Sequence, residues 1–568
     1  MRTPAPRVNL STLLSSDLSP RAARRAWPLL VLLHLALIAG AVFSTSNAFD
    51  ETAYLAEGLL VLRNGDFART AVRQPPLPEF AAAVPCLLLG CPTPPDHLPK
   101  DSQRSGFEFL YRGTRPPARL LVLGRLAMLV FPLALGLALF AWARRLWGAE
   151  AGLIALFAWA FHPSFLANGA LVANDYALAA MSFCTLYALW RWQEAGETRW
   201  AALTGVFWGL ALACKPPALL LAPALALGAL LARRPAGERV RAALLACVCA
   251  SATLASVYGG TDLAHWFRNV DNRLFQSSQH GFGTFFLGAM RPQGSPFFYA
   301  VSLLVKTPLG WLLAAAAAAA AFFRRGFPDR RALAPSLLFA VLLFLAASAS
   351  RTQAGNRYLL PLYAAGCLWI GGLWQDRRRR PLLALGLLWS ALSTMSVFPH
   401  PLSYANELVG TRGLRRVFGE SDVDWGQDLP ALARWQRRHP QARLTLCYFG
   451  LADTGMWGVR AQLLPIQPLQ VMGANRELVH PVGPGREVLA MSATALQQHP
   501  LRELFSWDRE GPGPVEDVGG SIFLWDVTER PDIHRRLALW YRAFGWSRHE
   551  ARELAQAGAL ETPPAPRH

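Results

Sequence analysis

The chain has 568 residues, of which 53% are hydrophobic, and its mean hydropathy of +0.23 is too high for a soluble enzyme and too low for membrane helices alone. The formal charge of +19 comes from arginines in short clusters between apolar runs, which is a membrane-topology pattern and argues against a nucleic-acid-binding protein. Polar residues concentrate after about residue 400, so we expect a membrane region followed by one soluble domain.

Eleven apolar runs approach the roughly 20 residues that a helix needs to cross the hydrocarbon core. They cover residues 27–45, 119–143, 149–170, 172–192, 200–215, 217–232, 241–259, 297–323, 333–350, 357–375 and 381–398. The first run is too long for the core of a signal peptide and no small-residue cleavage site follows it, so it is interpreted as an anchor. The predicted fold is an all-α polytopic bundle of about 11 transmembrane helices with a small C-terminal α/β domain.

The arginine clusters all fall on alternate loops, and therefore on one side of the membrane. They are Arg21, Arg24, Arg25, Arg144, Arg145, Arg233, Arg234, Arg324, Arg325, Arg330, Arg331 and Arg377 to Arg380. Because cytoplasmic loops carry the excess of basic residues, this side is the cytoplasm and the C-terminus lies outside. The expected domains are a cytoplasmic N-terminus (1–26), a membrane domain (27–399) with outer loops 46–118 and 260–296, and an outer domain (400–568).

Local patterns predict structure in these outer segments. In the first loop, residues 49–63 and 75–85 have apolar faces typical of helices lying at the membrane surface. Cys86 and Cys91 lie in the same loop and could form a disulfide, which the sequence leaves open. Alternating helical and strand patterns in the tail predict an α/β domain, with helices at 427–438 and 531–544 and strands at 444–449, 487–491 and 521–525.

Carboxylates at the predicted outer edge are the first candidates for catalysis. Asp50 and Glu51 follow the first span at the depth of a lipid phosphate headgroup, and Asp175 lies in the outer turn before the fourth span. Transfer of a group from a lipid phosphate needs a carboxylate that takes a proton from the acceptor and cations that stabilise the departing phosphate. A helix-capping role is the alternative for Asp50, with Asn47 as the cap of its helix, and for Asp175.

Cations at the same side are the candidates for phosphate binding. The chain has three lysines, and two of them, Lys215 and Lys306, interrupt apolar runs. Cations within a membrane are costly and indicate function, although snorkelling to the interface is the alternative. Arg351 and Arg357 lie on the side opposite to the topology arginines, which favours phosphate binding for them.

The tail opens with the polar stretch 421–429, in which Asp422 and Asp424 could ligate a cation or cap the next helix, with the cap favoured. The sequence contains no dinucleotide fingerprint, Walker loop, paired CxxC zinc site or nucleophile elbow, and its histidines lack metal-ligand spacing. The sequence therefore establishes no cofactor, and a divalent metal is a possible one.

In this order, the motifs resemble the C-type integral-membrane glycosyltransferases, specifically bacterial relatives of the protein O-mannosyltransferases and of the lipid A aminoarabinose transferase. The resemblance covers about residues 27–450. The segments that carry it are Phe49 to Tyr54, Gln74 to Leu77, Asp175, Lys215 with Pro216, Lys306 to Leu309, Arg357 to Pro361, and Asp424 to Leu429.

The resemblance implies a bacterial inner-membrane enzyme that transfers a sugar, with inversion, from a polyprenyl phosphate to a lipid, glycan or protein. It implies that Asp50 is the catalytic base, with Glu51 and Asp175 beside it. Lys215, Lys306, Arg351, Arg357 and Tyr358 would bind the donor phosphate. Gln74 and Asn168, where many relatives carry histidine, are possible supporting residues together with Asp424 and Asp428.

The alternative function is a lipid or solute transporter, which would also place charges at broken helices. Transporters usually show inverted repeats and bind near the bilayer midplane, whereas the unusual charges of this chain lie near one face. An assembly factor acting through the tail would leave Asp50 and Lys306 unexplained.

Overall fold

The computed structural model describes residues 20–69, 74–93, 102–260, 262–278, 283–324, 329–466, 475, 477–498, 504 and 513–561. The protein is mostly helical within these ranges. The α-helices are α1 (Pro20–Ser44), α2 (Glu51–Asn64), α3 (Leu77–Leu88), α4 (Ser102–Tyr111), α5 (Pro117–Ala127), α6 (Val130–Trp147), α7 (Ala149–Ala160), α8 (Pro163–Gly169), α9 (Asn174–Ala195), α10 (Thr198–Leu212), α11 (Leu221–Leu231), α12 (Ala236–Val257), α13 (Leu263–Ser278), α14 (Phe298–Lys306), α15 (Leu309–Phe323), α16 (Arg330–Ala349), α17 (Leu360–Gly372), α18 (Arg380–Met395), α19 (Gly410–Val417), α20 (Leu429–Arg438), α21 (Ala493–Gln498), α22 (Pro531–Ala543) and α23 (Ser547–Glu561).

Each of the eleven predicted spans contains a helix or a helix pair, which makes this a multi-pass membrane protein. Four helical segments in the described residues are long and apolar enough to cross a membrane: α1, the α5–α6 segment, α12 and α16. The number rises to six if each of two bent pairs, α7 with α8 and α14 with α15, is one span. The other helices in the predicted spans are shorter or more polar, so the count of eleven crossings stays a prediction.

Both bent pairs break in front of a proline. Helices α7 and α8 meet at 65° before Pro163, and α14 and α15 meet at 117° before Pro308. Proline has no N–H for the helix ladder and excludes the residue before it from helical geometry. His162 (ψ 122) and Thr307 (ψ 134) accordingly adopt extended backbone. The second bend turns α14 far out of line with α15 and leaves Lys306, its last residue, at the bend.

The two predicted surface helices of the first loop exist as α2 and α3, but α2 does not lie on a surface. Its residues from Glu51 to Val61 are all buried against protein. Helix α4, which the sequence analysis did not predict, packs tightly against it: a Cβ on Gly106 would lie 2.1 Å from the carbonyl oxygen of Thr52. Residues on all sides of α2 are therefore covered by protein, which the sequence did not predict, and the position of this helix at the membrane interface stays a prediction.

The tail forms the predicted small α/β unit. Its five strands are β3 (Arg443–Cys447), β4 (Gln462–Leu463), β5 (Glu487–Ser492), β6 (Glu516–Val518) and β7 (Ile522–Asp526), and they follow a short hairpin of β1 (Thr284–Phe286) and β2 (Ala289–Arg291). The sheet order is β4-β3-β5-β7-β6, with β3 parallel to both neighbours and β7 antiparallel to both of its own. The predicted strands are confirmed, as are the helices observed as α20 and α22.

The tail is joined to the start of α2 by main-chain hydrogen bonds. The amide of Ser46 donates to the carbonyl of Gln427 at 2.8 Å, and the amide of Phe49 donates to the carbonyl of Trp425 at 2.9 Å. The Ser46 hydroxyl adds a bond to the Gly426 carbonyl. These bonds fix the position of the segment that carries Asp50 and Glu51.

Candidate active site

Asp50 occupies the N-cap position of α2, and its carbonyl accepts the amide of Tyr54 in the first helical turn. Its side chain makes no capping hydrogen bond, is half-buried, and has no hydrogen bond or ion pair with any described residue. Asn47 is not the cap that the sequence suggested, because its amide donates to the Thr52 hydroxyl at 2.8 Å. A carboxylate at a helix start without a capping role is available for chemistry.

The neighbouring carboxylate, Glu51, is fully engaged. Both of its oxygens accept hydrogen bonds from the guanidinium of Arg125, at 2.9 and 2.6 Å. They also accept the backbone amides of Ala48 and Val172, each at 2.7 Å. Because both side chains of this ion pair are inaccessible to solvent, Glu51 holds α2 against α5 and has no oxygen left for a substrate.

Asp175 lies in the first turn of α9 but does not cap it. One carboxylate oxygen accepts the ammonium of Lys215 at 2.5 Å, and the other lies 3.6 Å from the Arg357 guanidinium. All three side chains are largely buried. The structure thus brings together three predicted site residues that are distant in sequence, with two cations facing the carboxylate of Asp175.

Aromatic rings cover these cations. The Lys215 ammonium lies 3.8 Å from the centre of the Tyr358 ring, and the Arg357 guanidinium lies 4.1 Å from the centre of the Trp425 ring. Tyr358 in turn stacks on Tyr299, with ring centres 6.1 Å apart. Such contacts orient cations in a site of low polarity while leaving N–H groups free to bind an anion.

Lys306 makes a different set of contacts. Its ammonium donates to the backbone carbonyls of Leu402 and Asp422, at 2.7 and 2.5 Å. The Asp422 carboxylate accepts the amide of Asn356 at 2.7 Å, and the Asn356 side chain bonds to Ser164 and Tyr363. Lys306 therefore ties the start of the tail to the bend after α14.

The remaining predicted residues have three different surroundings. Arg351 is half-buried and forms no hydrogen bond or ion pair with a described residue. Gln74 is buried, and its side-chain oxygen has no hydrogen-bond partner in the described part of the chain. Asn168 donates to the carbonyl of Ser164, one turn earlier on α8. Of these three side chains, Arg351 and the Gln74 oxygen are therefore available to bind a ligand, whereas Asn168 is engaged within α8.

Asp424 and Asp428 stabilise the tail from within. Asp424 accepts the amides of Gly426 and Thr494, and burial raises its pKa to about 7 although those bonds oppose the shift. Asp428 bonds to His400 at 2.7 Å and to Ser521 at 2.6 Å. The capping interpretation for Asp422 and Asp424 was wrong, because the Asp422 carboxylate accepts the amide of Asn356, Asp424 accepts those of Gly426 and Thr494, and α20 has no side-chain cap.

No group of three or more His, Cys, Asp and Glu side chains that could hold a metal ion occurs in the described ranges. In the first loop, Cys86 and Cys91 are both buried and have free thiols, and the amide of Cys91 donates to the carbonyl of Cys86 at 3.0 Å. A disulfide between them stays a prediction. Lys100 lies outside the described residues.

Two residues near the site were missed from sequence. Arg125 interrupts the apolar run of the second span, and the rule that intramembrane charges indicate function would have identified it. Glu420 adopts a left-handed backbone with φ of 48°, which is strained for a glutamate. Burial raises the pKa of Glu420, Asp50 raises it further, and Arg357 opposes the shift, so the three charges share one region.

One protein-family model matches part of the chain. Residues 121–261 match the model described as dolichyl-phosphate-mannose-protein mannosyltransferase. This segment, about a quarter of the chain, is similar to the protein O-mannosyltransferases. The matched segment begins in α5, ends after α12 and includes Arg125, Asp175 and Lys215, and it confirms the resemblance inferred from the motifs. No curated protein matches the sequence.

Solved structures show more distant likenesses. The crystal structure of ArnT from Cupriavidus metallidurans bound to undecaprenyl phosphate is 14% identical, with a TM-score of 0.47, over 88% of this chain and 97% of that chain. Its apo state is 15% identical, with a TM-score of 0.46, over 89% and 98%. The archaeal oligosaccharyltransferase AglB from Archaeoglobus fulgidus, in complex with an inhibitory peptide and a dolichol-phosphate, is 10% identical, with a TM-score of 0.42, over 77% and 63%.

Proposed function

We propose that this protein transfers a sugar from a polyprenyl-phosphate donor to an acceptor at the outer face of the bacterial inner membrane. Asp50 is the general base in this proposal. The observation that carries it is the contrast among the three predicted catalytic carboxylates: Glu51 and Asp175 form ion pairs with cations, while the Asp50 side chain forms no hydrogen bond or ion pair with a described residue. A general base must have a free oxygen that can reach the acceptor proton.

The cationic group beside Asp50 suits the leaving group. Lys215 and Arg357 both face Asp175, and Arg351, which forms no ion pair with a described residue, lies six residues before Arg357 in the chain. A polyprenyl phosphate gains negative charge on its bridging oxygen as the sugar departs. Fixed cations in a site of low polarity stabilise that charge most in the transition state, which is where binding energy accelerates the reaction.

Inversion follows from this division of roles. The free carboxylate activates the acceptor, while the cations bind the phosphate on the departing side, so a single displacement suffices. Retention by double displacement would need a second carboxylate as nucleophile, and in this proposal Glu51 and Asp175 are held in ion pairs. Both serve as positioning residues: Glu51 orients the start of α2, and Asp175 orients Lys215 and Arg357.

The test measures release of polyprenyl phosphate, which does not require the acceptor to be known in advance. The purified protein in nanodiscs is given polyprenyl-phosphate sugars and an envelope extract as the acceptor source. We expect Asp50→Asn to slow single-turnover release by about 10² to 10⁴ fold without reducing donor affinity or thermal stability. Near-normal turnover by Asp50→Asn would show that the base lies elsewhere.

Asp175→Asn is the matched comparison. It keeps the shape of a site carboxylate but weakens the hold on Lys215 and Arg357, so we expect a rise in the donor dissociation constant and a smaller loss of rate. If wild type releases no polyprenyl phosphate with any donor while donors remain bound, the proposal of sugar transfer is contradicted and a transport assay becomes the appropriate one.

A further inference from the structure

A lateral crevice lies among α9, α10, α11 and α12, away from the candidate active site. Its volume is about 230 Å³, and its walls are almost wholly apolar. Thr204 contributes a polar group, but its hydroxyl already donates to the carbonyl of Trp200 at 2.8 Å. An apolar space of this size offers water too few partners and instead suits a hydrocarbon chain.

The crevice opens towards lipid. Small side chains line its mouth between α11 and α12, and four of them, Ala222, Ala226, Ala243 and Cys247, are exposed in the isolated protein. Most of its lining residues, including Trp192 and Ala229, lie towards the loops after α9 and α11, while Trp208 and Ala222 extend it towards the opposite ends of α10 and α11, where Lys215 lies. The crevice therefore faces the leaflet on the arginine-rich side of the membrane.

Arg239 lies near the end of the crevice on the arginine-rich side. Arg239 precedes three lining residues of α12, Ala242, Ala243 and Ala246, by three, four and seven positions, which places all four on one helix face. One of its terminal nitrogens donates to the carbonyl of Leu230 at 3.3 Å. Its Nε is buried and has no hydrogen-bond partner among the described residues.

The surrounding loops add more positive than negative charge. From residue 191 to residue 241 the arginines outnumber the acidic residues; the arginines are Arg191, Arg199, Arg233, Arg234, Arg239 and Arg241, and the acids are Glu194, Glu197 and Glu238. Basic pockets beside membrane helices on such a side attract anionic lipid headgroups, by about 1 kcal/mol for each nearby cation.

We propose that the crevice binds one anionic glycerophospholipid from this leaflet, with an acyl chain between α11 and α12 and the phosphate on Arg239. This site is separate from the proposed sugar transfer. The sugar donor is a poor occupant, because its phosphate belongs with Lys215 at the opposite ends of these helices. A zwitterionic phospholipid also offers a phosphate to the Arg239 guanidinium, but its headgroup adds a positive charge to a region in which arginines already outnumber acidic residues, so an anionic headgroup is favoured.

The experiment is native mass spectrometry of the full-length protein, released from nanodiscs that contain equal amounts of phosphatidylglycerol and phosphatidylcholine. We expect one phosphatidylglycerol per wild-type chain to be retained preferentially. Ala226→Phe and Ala243→Phe fill the crevice from opposite walls and should each abolish that retention. Arg239→Gln should weaken it about fivefold, the effect of about one kcal/mol.

Matched controls use the same helix away from the crevice. Val248 is 64% exposed and does not line the crevice, so Val248→Phe should retain the lipid, as should Arg241→Gln at an exposed arginine. If all variants retain phosphatidylglycerol equally, the bound lipid is unspecific boundary lipid and the proposal is overturned. Equal retention of the two phospholipids, or retention of polyprenyl phosphate instead, would overturn the anionic phospholipid as the occupant. Sugar transfer by the crevice variants is expected to continue, so failure of one proposal does not imply failure of the other.

Discussion

The ammonium of Lys215 and the carboxylate of Asp175 form a buried ion pair with a separation of 2.5 Å, between residues 40 positions apart in the chain. The pair joins the start of α9 to the end of α10. Because Arg357 approaches the other oxygen of Asp175, one carboxylate positions two cations. In the proposed function, Asp175 would thereby position the phosphate ligands without contacting the phosphate itself.

Loss of the Lys215 charge should mainly weaken the binding of the donor. We expect Lys215→Met to weaken binding of polyprenyl phosphate by about tenfold or more, because a charge-assisted contact contributes about 1.5 to 3 kcal/mol. Titration of the purified protein with polyprenyl phosphate measures this. The double variant with Asp175→Asn should be more stable than the sum of the single variants predicts, since each single change leaves a buried charge without its partner. Unchanged donor affinity would remove Lys215 from the phosphate site.

Lys306 was grouped with Lys215 from sequence, yet its ammonium is held by two backbone carbonyls. We expect Lys306→Met to lower the free energy of unfolding by about 1 to 3 kcal/mol, because those buried carbonyls lose their donor. Donor affinity should fall less than in Lys215→Met. Thermal unfolding and the same titration separate the two effects, and the reverse ranking would return Lys306 to the donor site.

Glu51 and Asp50 are adjacent, but their substitution should affect the free energy of unfolding very differently. Glu51→Gln leaves the buried Arg125 guanidinium without a counter-charge, and we expect a stability loss of about 3 to 5 kcal/mol. Asp50→Asn should leave stability nearly unchanged, because the Asp50 side chain makes no capping bond. Unfolding curves of both variants measured side by side provide the check. A stable, inactive Glu51→Gln enzyme would instead favour a catalytic role for Glu51.

The contact between His400 and Asp428 predicts a pH dependence of stability. Burial lowers the pKa of His400, but the charge and hydrogen bond of Asp428 outweigh burial and raise it above the ordinary 6.5. A raised histidine pKa stabilises the folded state fully below pH 6.5, and this stabilisation is lost as the pH rises through the folded-state value. The melting temperature difference between wild type and His400→Gln should therefore shrink from pH 6 to pH 8.5. His439→Gln, at another tail histidine, is the control, and a constant difference would refute the linkage.

The arginine distribution predicts that the tail lies outside the cytoplasm. A reporter that is active only outside should work when fused after residue 400, and a fusion in the loop between α11 and α12 should be inactive. A cytoplasmic tail in this assay would reverse the side assigned to every candidate site residue.

Sequence reasoning located the helices and strands well because periodicity and proline positions act locally. It also identified Asp175, Lys215 and Arg357, which the fold brings together. It could not assign their partners: whether a lysine in an apolar run faces a carboxylate or two backbone carbonyls depends on tertiary packing, as Lys215 and Lys306 demonstrate. The burial of α2 was missed for the same reason, since α4 covers a face that sequence alone assigns to the membrane surface.

The main-chain bonds between Ser46 and Gln427 and between Phe49 and Trp425 have a consequence for biogenesis. The start of α2 is clamped by a segment made some 380 residues later, so the ribosome must synthesise almost all of the membrane region before Asp50 acquires its final surroundings. A nascent or truncated chain that ends before this segment would contain every proposed phosphate ligand. It would lack the main-chain hydrogen bonds that position Asp50, the proposed base. If Asp50 is the base, we expect the protein to stay inactive during insertion and to become active only when the tail docks.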